Sequence, residues 1–165
     1  MAIQSTDIVY RLSGGASNSD PAASLGGAKS STAAGTNIFD NVSSSEASAG
    51  DVEHRCIYVH NAHGSLTLQG ARVWIQSNTP STDTTVAIAL AGEGVNGTAE
   101  TVGNESTAPS GESFTTPTDY AGGLVIGDIP SGQHQGIWIR RTVSASAAAY
   151  NNDGFTLRVQ GDTAA

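Results

Sequence analysis

Apolar positions in this chain recur mostly at every second residue. In residues 53–75, EHRCIYVHNAHGSLTLQGARVWI, Ile57 and Val59 fall on one side of an extended backbone, and His54, Cys56, Tyr58 and His60 fall on the other. After a short turn cluster, Ala71, Val73 and Ile75 alternate with Arg72 and Trp74. Strand side chains point to opposite faces in turn, so the pattern predicts two half-buried strands. Residues 84–91, TTVAIALA, predict a third, with Val86, Ile88 and Leu90 against a face of alanines that includes Ala87, Ala89 and Ala91. Residues 122–143 predict a short strand, a turn at Ile129-Pro130-Ser131-Gly132 and a long strand with Ile137 and Ile139 opposed to Trp138 and Arg140. Asn151-Asn152-Asp153-Gly154 is a second turn signal, and residues 155–160 alternate Phe155, Leu157 and Val159 with Thr156, Arg158 and Gln160.

Short strands with turn signals and no helical period predict an all-β domain, an antiparallel sandwich of two sheets with either immunoglobulin-like or jelly-roll topology. Its core is expected from Ile57, Val59, Val73, Ile75, Ile137, Ile139, Leu157 and Val159. Residues 51–165 carry this sandwich, and residues 1–50 are expected as an N-terminal strand (residues 7–12), or an arm that adds to another subunit's sheet, followed by a long extended arm, the whole forming one domain. Residues 13–50 are so rich in Gly, Ser and Ala that they build no core of their own. Leu25, Ile38 and Phe39 are the expected anchors of a segment wrapped over a preformed surface, a flexible linker being the alternative, and deletion of this arm is expected to spare the sandwich. Residues 92–120 are again small and polar, and Pro109 and Pro117 confine their weak strand signals to edges or loops.

Composition narrows the function. The formal charge is −8, only 13% of residues are charged and Lys29 is the one lysine, so the clustered cations that bind nucleic-acid phosphates are missing. Cys56 is the only cysteine, which leaves packing rather than a disulfide to hold the fold. The first residues have no basic-then-apolar signal pattern, and no apolar run reaches the roughly 20 residues of a spanning helix, so the expectation is a soluble chain made in a cytoplasm, with no membrane partner.

The chemistry is sparse. His54 and His60 share a strand face but lie about 20 Å apart at about 3.3 Å per residue, too far to hold one ion. His60 and His63 lack a carboxylate or thiolate at metal-site spacing, and Asp51, Glu53 and Asn151 to Asp153 do not follow a calcium-loop pattern. No serine sits in a nucleophile elbow, and Cys56 beside His54 is aligned along a strand rather than converging on a pocket, the setting of an inert thiol. No catalytic residue, metal or cofactor is expected. By parity Tyr58, Trp74 and Trp138 face away from the inter-sheet core. They are candidate interface residues, or else are covered by the chain's own wrapping segment.

The runs SNSDPAASLGGAKSST (17–32), NIFDNV (37–42), EASAGDVEHRCIYVHN (46–61), VWIQSNTPS (73–81), IGDIPSGQHQGIWIRRTV (126–143) and AAAYNNDGFTLRVQGD (147–162) together resemble small virion structural proteins of tailed bacteriophages. Within that class the chain looks like a capsid decoration, or cement, protein. The resemblance implies a non-enzymatic homotrimer on the capsid exterior with the major capsid protein as its partner. A tail, baseplate or head-fibre component and a carbohydrate-binding sandwich module are the rival expectations.

Overall fold

The computed structural model describes residues 2–163. Seven strands form two antiparallel sheets: β1 (Ile8–Leu12), β2 (Asp51–Asn61), β3 (Leu68–Ser77), β4 (Thr84–Leu90), β5 (Leu124–Ile129), β6 (His134–Val143) and β7 (Thr156–Thr163). One sheet has the order β1-β2-β6-β4 and the other β5-β3-β7. The protein is therefore an all-β sandwich, as the alternation predicts. In strand numbering an immunoglobulin constant domain has sheets 1-2-5-4 and 3-6-7. Here the sixth strand stands between β2 and β4, and the fifth joins the smaller sheet.

The inward positions make one core: Ile57, Val59, Val73, Ile75, Val86, Ile88, Ile137 and Ile139 are all nearly inaccessible. Leu157 and Val159 join it but are only half-buried, because β7 is an edge strand with little over it. β2 and β6 pair over their full length, from Asp51 opposite Val143 to His60 opposite His134, and this ladder is the spine of the larger sheet.

Both outer edges of that sheet are covered by the chain itself. Along β1, Leu12 N–H donates to the Thr32 carbonyl and Ala34 N–H to the Tyr10 carbonyl. Along β4, Ile88 exchanges both backbone bonds with Thr115, and the Asn78 side-chain amide bonds both backbone groups of Val86. Unpaired edges template unwanted strand addition, and these covers remove two of them.

A second apolar cluster lies on the outer face of the larger sheet. Cys56, Tyr58, Ala89, Ala91 and Trp138 meet Ala99 and Val102 there, with Leu25 and Phe114 packed alongside. The segments after β1 and before β5 thus form a third layer. Gly136 lets it close: a Cβ there would stand 2.8 Å from the Ala91 Cβ and 3.3 Å from the Tyr58 ring. Residues 2–50 thus supply a strand of the larger sheet, Ile38 and Phe39 to the inter-sheet core and Leu25 to this third layer. They also hold a helix that strand periodicity does not disclose, α1 (Ser44–Ala49). Its start is a capping box in which Ser43 and Glu46 satisfy each other's backbone N–H groups, and it ends at Gly50 with φ 81°.

Candidate docking edge

The three outward aromatics do face away from the inter-sheet core, but they are not open to a partner. Tyr58 and Trp138 have no accessible surface, being sealed under the third layer. The Tyr58 hydroxyl donates to the Gly27 carbonyl at 2.6 Å and accepts from Ala99 N–H at 2.8 Å, so one residue ties both covering segments to the sheet. Burial pushes its pKa up to about 12, which keeps the donor in place at physiological pH. Trp74 lies on the outer face of the smaller sheet, 6% exposed, with Tyr120 edge-on at 5.9 Å and the Arg158 guanidinium 5.8 Å above it. As interface anchors, Tyr58 and Trp138 are excluded by their cover, and Trp74 is largely spent on contacts within the chain. The small-residue face of Ala87, Ala89 and Ala91 is likewise buried within the protomer.

Of the arm anchors, Leu25 packs into the third layer, while Ile38 and Phe39 reach the inter-sheet core. Two guanidiniums lie over the Phe39 ring, Arg141 at 4.8 Å and Arg55 at 5.5 Å from its centre. Carboxylates close this stack. Arg55 pairs with Glu105 at 2.5 Å, and Arg141 pairs with both Glu53 and Asp40. Oxygens of Asp40, Glu53 and Glu105 lie within 4.8 Å of one another, near enough to share a cation, yet both guanidiniums already engage them. The arrangement is an ion-paired lock that fastens the arm around Phe39 onto β2 and β6.

Glu53 is 1% exposed and its Oε1 has no partner among the described residues. Burial raises its pKa from the ordinary 4.5 to about 7, against the opposing pull of Arg141. His54, His60 and His134 are shifted the other way, below their ordinary 6.5, foremost by burial. The two sets oppose each other in stability. The histidines resist protonation in the fold, so their contribution falls as pH drops below about 6.5; Glu53 holds its proton in the fold, so its contribution falls as pH rises from about 4.5 to 7. Glu53→Gln removes only the second effect. The variant should therefore gain stability more steeply than the parent between pH 5 and 7, by on the order of 2 kcal/mol across the window. Urea unfolding at four pH values tests this, and parallel curves would refute it.

The histidines do not converge. His54 Nδ1 lies 3.0 Å from the Glu105 carbonyl, and His63 Nδ1 accepts from the N–H groups of Ser65 and Leu66. His60 and His134 are cross-strand neighbours with ring centres 6.5 Å apart. Cys56 is fully buried and its thiol is pushed far up by desolvation, the state of an inert packing group.

What remains open is the seam between β1 and β7. β3 directs Ile75 N–H away from β7, to the Pro117 carbonyl, so Trp74 and Arg72 are the residues that bond β7, opposite Arg158 and Gln160. The backbone groups of Leu157, Val159 and Gly161 consequently point to the free edge. Tyr10 occupies one end of that edge: its hydroxyl lies 3.4 Å from the Leu157 carbonyl and beside Val159 N–H. Tyr10 thus divides the seam in two. Toward the start of β7 lies a cleft of about 1230 Å³, floored by Ile38, Phe39, Ile57, Phe155 and Leu157, with Tyr150 54% exposed. Beyond Tyr10 the backbone of β7 at Gly161 faces no strand among the described residues, and at its far end the Thr163 hydroxyl accepts from Ile3 N–H at 3.3 Å.

No protein-family model matches this chain, and neither the curated proteins nor the solved structures include a significant match.

Proposed function

We propose that this chain is a non-enzymatic structural protein that docks on an assembled protein shell, as a capsid decoration protein of a tailed bacteriophage does. The observation that carries the reading is the apolar-floored cleft between the arm at residues 34–48 and the strap at residues 146–155. Its floor offers Phe39 and Phe155 and its rim is largely Asn, Ser and Thr, the mix of apolar anchors and polar partners that a protein segment would use. The resemblance of the sequence runs to phage virion proteins supplies the partner class, and the major capsid protein is the expected contact. A decoration protein binds after assembly, so a module rigid before docking loses little conformational entropy on binding.

The test is fractionation of gradient-purified virions. The protein should travel with heads freed of tails and be released by a Phe155→Asp variant that still folds. Its presence only with tails, or its absence from particles, would overturn the assignment to the shell.

A further inference from the structure

We propose that the free edge of β7 is a self-association site, where a second copy of this chain pairs antiparallel, β7 to β7, about a two-fold axis through Gln160. The strand is self-complementary in that register. Arg158 stands opposite Asp162 of the other copy, and Asp162 opposite its Arg158, on the outer face of the sheet. Neither residue has an ion-pair partner within the protomer among the described residues, and both are exposed. Two such cross-strand pairs form per dimer, at the positions where antiparallel side chains stand closest.

The backbone fits the same register. Val159 and Gly161 direct their groups outward, so Gly161 N–H donates to the Val159 carbonyl of the other copy and the two-fold mate does the same. Val159 N–H, beside the Tyr10 hydroxyl, completes the ring when that hydroxyl turns fully to the Leu157 carbonyl. On the inner face Val159 meets Gly161 of the other copy, where no side chain obstructs it. Val159 and Leu157, only half-buried in the protomer, gain cover. The two three-stranded sheets become one of six strands, and an edge that invites uncontrolled addition is closed. The other edge of that sheet is a poorer template: β5 carries Gly127 at φ 87°, and its register with β3 breaks on either side of Ala71. This assembly is a two-fold dimer rather than the trimer expected from sequence, and it stands independently of any shell.

The experiment is sedimentation of the full chain over a concentration series, with charge reversals. The parent should be a dimer. Arg158→Asp or Asp162→Arg alone sets like charges opposite each other and should raise the dimer Kd about tenfold or more. The double reversal restores opposite charges and should restore the dimer. Gln160→Cys should form a disulfide-linked dimer in oxidising buffer, since two-fold partners at this position lie within disulfide reach while Cys56 is buried. A parent that stays monomeric at tens of micromolar, an oligomer indifferent to the single reversals, or a double reversal that fails to re-form the dimer would each overturn the proposal.

Discussion

Trp138→Ala is expected to cost about 3–5 kcal/mol of stability, the range for emptying a large aromatic site in a sealed core. The ring has no accessible surface and sits at the middle of the β2-β6-β4 ladder, opposite Cys56 on one side and Ala89 on the other. Three members of its cluster, Ala89, Ala91 and Ala99, are alanines, whose side chains cannot swing in to fill the space. Trp138→Phe separates two contributions. The indole N–H finds no acceptor among the described residues, so phenylalanine gives up volume but no hydrogen bond and should lose much less than alanine does. Urea unfolding gives both values. A loss below about 1 kcal/mol for the alanine variant would mean that the third layer is not a packed core.

The sandwich was legible because inward residues repeat with period two. Ile57, Val59, Val73, Ile75, Ile137 and Ile139 were all assigned to the core by that rule, and all are buried. Parity also placed Tyr58, Trp74 and Trp138 on the outer faces. It could not say what covers them, because the cover comes from segments with no period. Gly27 contributes a carbonyl, Ala99 an N–H and a methyl, and Ser24 a carbonyl to Cys56 N–H. Low-complexity sequence of this kind packs through its backbone, and hydrophobic patterning does not register that. The ion-paired lock left a sharper trace. Glu53 and Arg55 share the parity of Ile57, and Arg141 that of Ile139, so charges stood on the core-facing side of two central strands. Inward charges in a strand need partners, and Asp40 and Glu105 were the missing ones.

Removing residues 1–50 is expected to abolish folding, an effect larger than any single substitution here. The truncation takes away β1, which pairs with β2 from Ile8 opposite Asn61 to Leu12 opposite Ile57. It also removes Ile38 and Phe39 from the inter-sheet core and Leu25 from the third layer. Polar losses follow. Tyr58 loses its Gly27 acceptor, the Cys56 carbonyl loses the Ser13 hydroxyl at 2.7 Å, and Arg141 loses both its Asp40 contacts while Arg55 loses the ring above it. Each large buried apolar side chain contributes about 1.5–3 kcal/mol, and each orphaned buried polar group costs about 1–3 kcal/mol. Together these are as large as the margin of about 5–15 kcal/mol by which such domains are stable, before the loss of the β1 ladder is added. The truncated chain should show no cooperative unfolding transition and should bind a hydrophobic dye. A narrower variant, in which a short glycine linker replaces residues 14–29, keeps β1 and its pairing but uncovers Tyr58 and Cys56. It should fold with much reduced stability. A cooperative transition in the full truncation, at a midpoint near that of the intact chain, would instead restore the picture of an arm laid over a finished sandwich.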